Sequence, residues 1–321
     1  MSIESVYQLL QKDLDKVEAT IQAVANVDFP FQAELLSYCL QGGGKRIRPV
    51  LTLLAGKLFD YNRDAVLPMA TAIELMHTAT LVHDDAIDHS AVRRGRTTVN
   101  ILWGEEIAIL LGDYLFARAG EFATNTGNLD VVRLFTQTLA IISSGEINQA
   151  HNAFNLNQTR QQYIDRIFGK TASLFILSTQ SGAILGHAPQ ADVTALREYG
   201  YNLGVAFQIV DDILDFTSTE EEMGKPIGSD LSQGTLTLPA MLILERYPEN
   251  NPVKNIFENR GGQDDIQRAI ELVRSSTIVQ DCYALASEYV SHACRHLEGL
   301  SDGAGRQRLV EIAEYVMARK K

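Results

Sequence analysis

The amino-acid sequence predicts an all-α fold, built as a single large helical bundle. Apolar residues recur at intervals of three and four along most of the 321 residues, which is the period of an amphipathic helix. No stretch shows the strict alternation of a half-buried strand, and no βαβ rhythm stands out. Apolar residues make up 45% of the chain, enough for a sizeable core, so we expect a single domain over residues 1–321.

The helix boundaries are predicted from this period and from the residues that interrupt it. Asn26 to Pro30 breaks the first helical stretch, and Gly42 to Gly44 ends the second. Residues 97–103 are predicted to be a short link, and the polar, glycine-rich residues 217–237 an ordered loop or lid. The predicted helices cover residues 2–24, 31–40, 49–59, 65–88, 105–123, 128–150, 161–185, 194–216, 238–246, 253–259, 264–274, 276–297 and 303–318.

Composition and charge exclude several classes of protein. The net charge of −12, without any basic stripe, argues against a nucleic-acid partner. Cys39, Cys282 and Cys294 show no metal-ligand spacing and are typical of reduced thiols in a cytoplasmic protein. The N-terminus is polar and amphipathic, unlike a signal peptide, and no apolar run approaches the ~18 residues of a membrane span. We therefore expect a cytoplasmic protein without a transmembrane segment.

Three carboxylates end one of the apolar helical stretches. If the stretch is helical, Asp84 and Asp88 lie one turn apart on one face, with Asp85 beside them. Oxygen ligands at this spacing suit Mg²⁺, which keeps several waters and also binds substrate phosphate oxygens. Arg93 and Arg94 follow at once and would bind anionic oxygens bidentately. The pattern predicts a metal-bridged phosphate site, and a solvated acidic helix end is the alternative.

A second acidic cluster follows another apolar stretch more than a hundred residues later. Asp211, Asp212 and Asp215 lie in the segment FQIVDDILD. Two such clusters are hard to explain as unrelated surface charge. If they face each other across a cavity, they could hold several divalent ions around one diphosphate, because so many carboxylates would repel each other without metal.

Glycines and basic residues precede the helix predicted to begin at Pro49. In the segment GGGKRIRP, three glycines let the backbone approach a ligand, and the helix N-terminus that follows favours anions. Lys45 and Arg48 are three residues apart and would share a face. The segment is no Walker loop, because G-x-x-x-x-G-K-[ST] is absent. Taken alone, it also fits a helix C-cap followed by solvated basic residues.

Three further residues are candidates for contact with phosphate. His77 lies seven residues before Asp84 on a similar face, although a histidine in an apolar helix is usually a hydrogen-bonded core residue. Lys170 lies in an otherwise apolar helix and needs a partner, which a diphosphate would supply; a snorkelling surface lysine is the alternative. Lys225, beside a glycine in the predicted lid, could close over phosphate oxygens.

These motifs resemble those of the trans-prenyltransferases, the isoprenyl diphosphate synthases. The matching segments are GGGKRIRP, LVHDDAID-x4-RRG, GKTASL, FQIVDDILD and GKPIGSD, which occur between Gln41 and Pro239 in the order of the family. Five motifs in order are a far more specific signal than any one of them. The resemblance implies a helical bundle around a deep central cavity, and a homodimer.

The resemblance also implies the reaction and its cofactor. An allylic diphosphate ionises, the double bond of isopentenyl diphosphate attacks the cation, and a proton is lost. Several Mg²⁺ ions would bind the allylic diphosphate, held by Asp84, Asp88 and Asp211, with Asp85, Asp212 and Asp215 nearby. By the same resemblance, Arg93 contacts that diphosphate; Lys45, Arg48, His77 and Arg94 bind isopentenyl diphosphate; Lys170 and Lys225 stabilise the leaving diphosphate; and Thr171 and Gln208 line the carbocation.

One departure from the family pattern concerns the segment DLSQGTLTLP. Members often place a lysine near the position that Thr235 holds here. Its absence removes one contact to the leaving group, and Lys225 remains to supply such a contact.

The product length is predicted from the turn before the first acidic cluster. Ala79 and Thr80, with Met76 a turn deeper, lie on the face of the helix that leads away from Asp84. A helical turn is ~5.4 Å long, so a bulky side chain there would block a growing tail early. Short-chain members of the family resemble this site but have aromatic residues there. The small Ala79 indicates a hexaprenyl to decaprenyl product; the alternative is that Ala79 only packs against a neighbouring helix.

Three functional hypotheses follow. The leading one is a medium- to long-chain polyprenyl diphosphate synthase that supplies quinone side chains. The second is a short-chain farnesyl or geranylgeranyl diphosphate synthase. The third is a non-catalytic regulatory subunit of a heteromeric synthase, which the intact acidic clusters and lysines argue against. Peripheral contact with a membrane stays an open alternative for any of them.

Overall fold

The computed structural model describes residues 3–219, 226–259, 261–301 and 303–319. The all-α prediction is confirmed, since helices account for nearly all regular structure in these residues. The chain divides into two compact units, each discontinuous in sequence. Unit 1 comprises Met1–Ala140, Leu174–Gly200 and Cys294–Ile312, and unit 2 comprises Ile141–Ser173, Tyr201–Ala293 and Ala313–Lys321. That residues 1–321 form a single domain stays a prediction.

The observed helices agree closely with the predicted stretches, most ends lying within a few residues of the expected position. They are α1 Glu4–Ala23, α2 Pro30–Leu40, α3 Ile47–Lys57, α4 Arg63–Ile87, α5 Val99–Trp103, α6 Glu105–Thr124, α7 Leu129–His151, α8 Arg160–Ile167, α9 Ser173–Leu185, α10 Gln190–Thr217, α11 Ser229–Ser232, α12 Leu238–Arg246, α13 Pro252–Asn259, α14 Gln263–Ser275, α15 Ile278–Leu297 and α16 Ala304–Ala318.

Short elements depart from the predictions. The expected link over residues 97–103 contains α5, and the expected loop over residues 217–237 contains α11. The expected helix over residues 161–185 is interrupted by a π-helical turn over Phe168–Ala172. A two-stranded antiparallel hairpin, β1 Val92–Arg93 and β2 Arg96–Thr97, follows the first acidic cluster. Each element is too short to show a period in the sequence.

Helix α4 forms the centre of unit 1. Its N-terminus is capped by Asn62, whose side chain accepts a hydrogen bond from the backbone N–H of Asp64. It packs against α1, α3 and most extensively α6. Gly112 on α6 permits this approach, because a Cβ there would lie 2.1 Å from Nε2 of His83 on α4. The first acidic cluster therefore ends a helix that is held firmly along its length.

The prediction that no apolar run approaches the ~18 residues of a membrane span was wrong. Helix α4 is long and apolar enough to cross a membrane by length and composition. However, 67% of its most apolar window is buried inside the protein, as expected for the central helix of a bundle. Its hydropathy is therefore explained by packing against α1, α3 and α6.

Unit 2 places the second acidic cluster near the end of α10. The buried residues Ile266, Ala269, Ile270 and Val273 give α14 one apolar face, and α14 packs against α12 and α13. At the end of α14, Arg274 donates hydrogen bonds from Nε to the carbonyl of Phe216 at 2.7 Å and from Nη2 to that of Ser218 at 2.9 Å. These bonds satisfy carbonyls that the end of α10 leaves without helical partners.

Candidate active site

The three carboxylates of the first acidic cluster point in two directions. Asp84 and Asp88 lie one turn apart at the C-terminal end of α4, and both are partly exposed. Asp85 is only 6% exposed, and its Oδ1 accepts a hydrogen bond from Nε of Arg93 at 2.6 Å. Burial raises the pKa of Asp85, the Arg93 charge opposes this, and the net shift is upward. Asp84 and Asp88 are therefore the two carboxylates of this cluster whose side chains are partly exposed.

The hairpin after α4 brings Arg94 against the glycine segment. Arg94 has a left-handed backbone, with φ of 52°, at the turn between β1 and β2. Its Nη1 donates a hydrogen bond to the carbonyl of Gly43. A Cβ on Gly44, whose φ is 146°, would lie 2.8 Å from that same nitrogen. These glycines thus allow the guanidinium of Arg94 to lie close to the backbone. The sequence predicted instead that the glycines would let the backbone approach a ligand.

A pocket of about 680 Å³, including its open mouth, lies in unit 1 beside this contact. Four arginines line it together with one histidine and two carboxylates: Arg46, Arg93, Arg94, Arg96, His77, Glu74 and Asp85. The pocket brings together His77 and Arg94, which were predicted to bind isopentenyl diphosphate, and Arg93, which was predicted to contact the allylic diphosphate. Lys45 and Arg48 are absent from its lining; Lys45 is exposed, and the Arg48 guanidinium stacks over the Phe175 ring at 5.3 Å.

His77 is held neutral by its surroundings. Burial lowers its pKa most, and the positive charges of Arg48, Arg94, Arg93 and Arg46 lower it further, to well below its ordinary value. An imidazole among four guanidinium groups can donate one N–H to an anion without adding another positive charge. This arrangement suits the binding of a phosphate group.

Arg46 is a structural residue that the sequence analysis did not assign. It caps α3 with a left-handed backbone, and its guanidinium lies 2.8 Å from Oε1 of Glu74 on α4 and 2.9 Å from Oε2 of Glu18 on α1. It therefore ties the glycine segment to two helices. Its partners are distant in sequence, so no local pattern indicated this role.

The π-helical turn carries the predicted leaving-group residues of unit 2. Gly169 in the turn approaches Gly145 of α7, where a Cβ would lie 3.3 Å from the opposite Cα. Lys170 places its Nζ 2.9 Å from Oε1 of Glu146. Thr171 is buried, and its hydroxyl donates to Oε1 of Gln208 at 2.6 Å. The π turn thus presents two adjacent polar side chains near α7 and α10.

Asp211, the predicted metal ligand of the second cluster, forms an ion pair with the C-terminal Arg319. Nη2 of Arg319 lies 2.7 Å from Oδ1 of Asp211, and the guanidinium stacks 3.9 Å from the centre of the Phe207 ring. The side chain of Asp211 keeps 35% of its exposure. The sequence analysis missed Arg319, because nothing in its neighbourhood marks it as a partner of Asp211.

Asp212 and Asp215, which were predicted to lie near the metal, are both buried in unit 2. Asp212 is 3% exposed and accepts hydrogen bonds from Tyr163 and Gln208. Burial, then the charge of Asp230, raises its pKa to about 7. Asp215 is 1% exposed and accepts bonds from Oγ of Ser229 and the backbone N–H of Asp230. Both carboxylates are therefore buried and accept hydrogen bonds from protein donors.

The remaining predicted residues are less fully described. Lys225 lies outside the residues that the structure describes. Ala79 and Met76 are completely buried, and the hydroxyl of Thr80 donates to the carbonyl of His77 at 2.7 Å. Thr235 is half-buried and binds the carbonyl of Asp230 through its backbone N–H at 2.8 Å. None of these observations assigns a chemical role.

The donor set fits Mg²⁺ that is completed by substrate. No cluster of three or more His, Cys, Asp or Glu side chains suited to a metal occurs in the part of the chain that the structure describes. Asp84 and Asp88 offer carboxylate oxygens on one partly exposed face. Mg²⁺ is usually held by one or two carboxylates together with waters and substrate phosphate. A two-carboxylate site is therefore sufficient for the predicted ion.

Comparison with known proteins identifies the family of this chain. The family model for polyprenyl synthetase matches residues 30–273. The heptaprenyl diphosphate synthase component 2 of Bacillus subtilis is 37% identical over 100% of this chain and 92% of its own length. The octaprenyl diphosphate synthase of Escherichia coli is 32% identical over 99% of both chains.

One solved structure is also similar to this chain over its whole length. The polyprenyl synthase of Caulobacter crescentus, complexed with calcium and isoprenyl diphosphate, has a TM-score of 0.95 at 32% identity and covers 100% of this chain and 98% of its own. The fold is thus that of the isoprenoid synthases. The chain belongs to the polyprenyl synthetase family. The predicted resemblance is confirmed: the protein is a prenyltransferase, a trans-polyprenyl diphosphate synthase of the medium- to long-chain type.

We expect pyrophosphate to raise the pKa of His77. The free ring is neutral because burial and four arginines disfavour the imidazolium, and a bound anion would offset those arginines. The measurement is a pH titration of the histidine Cε1–H resonances by NMR, with and without pyrophosphate, assigned through His77→Gln. His292, exposed and outside the pocket, is the control. A His77 titration curve that pyrophosphate binding leaves unmoved would contradict the assignment of this pocket.

Proposed function

We propose that this prenyltransferase condenses an allylic diphosphate with successive isopentenyl diphosphates in a Mg²⁺-dependent reaction. The all-trans product would supply quinone side chains. The observation that carries the proposal is that the carboxylates of the first acidic cluster differ in exposure and in partners. Asp84 and Asp88 share a partly exposed face, while Arg93 neutralises the buried Asp85 between them. The Caulobacter crescentus relative, complexed with calcium and isoprenyl diphosphate, supports a divalent ion and a prenyl diphosphate here.

The residues of unit 1 divide into ligands for metal and ligands for phosphate. Asp84 and Asp88 would hold Mg²⁺, which when bound neutralises the diphosphate and stabilises the charge that develops as it leaves. Arg93 lies beside them and would also contact that diphosphate. His77 and Arg94 line the basic pocket and would hold isopentenyl diphosphate.

The residues of unit 2 act on the leaving group and the cation. Asp211 would bind further Mg²⁺, which requires Arg319 to release its carboxylate. Lys170 would stabilise the leaving diphosphate, exchanging Glu146 for phosphate oxygens. Thr171 and Gln208 supply oxygen dipoles of low nucleophilicity to the carbocation. The released diphosphate would accept the final proton, so a side-chain base is unnecessary.

Incubation with Mg²⁺, labelled isopentenyl diphosphate and each allylic primer tests the function. We expect elongated products and release of pyrophosphate, and we expect Asp84→Asn to lower the rate on the order of 100-fold, because it weakens metal-assisted departure of the diphosphate. The matched control is Asp130→Asn, an exposed carboxylate paired with Arg133. Equal activity of Asp84→Asn and Asp130→Asn would contradict the metal assignment.

Product length is tested at Ala79. Ala79 lies one turn before His83, which reaches α6 through Nε2 and the carbonyl of Ile109 at 2.9 Å, so both lie on the side of α4 that faces α6. We propose that the growing tail passes this point. Ala79→Phe should then shorten the product, as measured by chromatography of the dephosphorylated prenols. The control Ala79→Val adds less volume and should shorten it less. Unchanged product length in a folded Ala79→Phe variant would show that Ala79 only packs.

We further propose a homodimer that works in the cytoplasm. Large apolar side chains on the consecutive helices α5 and α6 are about half exposed: Ile101, Leu102, Ile109 and Leu110. Such a patch commonly marks a protein interface. Light scattering should give a dimer for the wild type and a monomer for Leu110→Glu. Leu129 is also apolar and exposed but lies on α7, so the control Leu129→Glu should stay dimeric. A dimeric Leu110→Glu would place the interface elsewhere.

A second candidate function comes from one relative's name. The Bacillus subtilis protein is called component 2 of a heptaprenyl diphosphate synthase, which favours a chain that works together with a different chain. The purified protein alone decides between the candidates. Pyrophosphate release without any added protein would contradict a purely regulatory role, and its absence at every primer would favour that role.

A further inference from the structure

Four polar side chains form a buried group in unit 2 that no motif predicted as a unit. Tyr163 on α8 is 1% exposed, Asp212 on α10 is 3% exposed and Thr171 in the π turn is 5% exposed. Gln208, one turn before Asp212 on α10, is half-buried between them. Groups of this kind lose free energy unless their hydrogen bonds are made, so their orientations are well determined.

The four side chains are joined by three short hydrogen bonds. The hydroxyl of Tyr163 donates to Oδ2 of Asp212 at 2.7 Å. Nε2 of Gln208 donates to Oδ1 of Asp212 at 2.9 Å. The hydroxyl of Thr171 donates to Oε1 of Gln208 at 2.6 Å. The bonds link three separate elements, and the carboxylate of Asp212 accepts at both of its oxygens.

The direction of each bond follows from the chemistry of its partners. Nε2 of Gln208 faces Oδ1 of Asp212, whose other oxygen already accepts from Tyr163, so the NH₂ side of the carboxamide is the one turned towards Asp212. The carboxamide oxygen is then turned towards Thr171, whose hydroxyl proton is committed to it. The Thr171 oxygen is left with lone pairs and no proton to offer elsewhere. If the carboxamide were reversed, its oxygen would face the carboxylate, which is repulsive.

We propose that Tyr163 and Asp212 are positioning residues for the condensation reaction, acting through Gln208 to aim the oxygen lone pairs of Thr171 at the carbocation. The inference rests on the proposed function. It extends that function to Tyr163, a residue outside the five matching segments. A threonine that presents lone pairs stabilises a cation, whereas one that presents its proton does not.

The hydroxyl of Tyr163 is the informative group to remove. The ring is buried and stacks beneath the guanidinium of Arg166 at 5.4 Å, so Tyr163→Phe keeps the packing and deletes one bond. Tyr199 provides a matched control. It is also fully buried, and its hydroxyl donates at 2.7 Å to the carbonyl of Leu309, with no link to Gln208 or Thr171.

The experiment compares kcat and KM of Tyr163→Phe and Tyr199→Phe, together with Tyr163→Phe in a Thr171→Val background. We expect Tyr163→Phe to lower kcat about 10-fold, with KM for both substrates unchanged, because only the transition state carries the cation. Tyr199→Phe should keep the wild-type kcat. In the Thr171→Val background, Tyr163→Phe should lower kcat no further, since the Thr171 hydroxyl that Tyr163 positions is absent there.

Several results would overturn the proposal. They are an unchanged kcat in Tyr163→Phe, an equal loss of kcat in Tyr199→Phe, or the same loss in the Thr171→Val background as in the wild type. Should Tyr163→Phe fold poorly, Asp212→Asn gives the same comparison. The asparagine side chain has one oxygen that accepts and one NH₂ group that donates, so it cannot accept the hydrogen bonds of both Tyr163 and Gln208. A wild-type protein without prenyl product would contradict the proposed function itself, whereas active wild type with unaffected variants would contradict only the positioning role.

Discussion

Two adjacent residues on a helix cannot face the same side, and this constraint shapes both acidic clusters. Successive side chains are separated by about 100° around the helix. In α4, Asp84 is partly exposed while Asp85 is buried against Arg93. In α10, Asp211 is partly exposed while Asp212 is buried against Tyr163 and Gln208. Each pair thus contains one partly exposed carboxylate and one buried carboxylate.

The buried carboxylates have consequences for the groups around them. A buried charge needs partners, and the partners become fixed in turn. Asp85 holds Arg93 in the hairpin, and the same hairpin sets Arg94 against the glycine segment beside the basic pocket. Asp212 holds Gln208, which holds Thr171. In the function proposed above, each doubled aspartate would supply a metal ligand from one position and a hydrogen-bonded internal anchor from the next.

Most of the helical fold could be predicted from the sequence, because its amphipathic period is strong and its breaks contain glycine or proline. The π turn at Phe168–Ala172 could not, since its five residues also fit a continuous helix. Asp84, Asp88, His77 and Arg94 were predicted as site residues from local motifs and spacing, and their roles stay predictions. Arg46, Arg319 and Tyr163 were missed, because their partners Glu18, Asp211 and Asp212 are far away in the chain. The burial of Asp212 and Asp215 depends on tertiary contacts that no spacing reveals.

Anomalous diffraction at the manganese edge tests the central claim most directly. Crystals would contain Mn²⁺ in place of Mg²⁺, with an allylic thiodiphosphate that binds but ionises slowly. The account predicts manganese at about 2.1 Å from carboxylate oxygens of Asp84 and Asp88, and further manganese at the same distance from Asp211. It predicts none bound to Asp85 or Asp212, which keep Arg93 and Tyr163 as partners. Manganese coordinated by Asp85 or Asp212, or a diphosphate bound without manganese at Asp84 and Asp88, would contradict it.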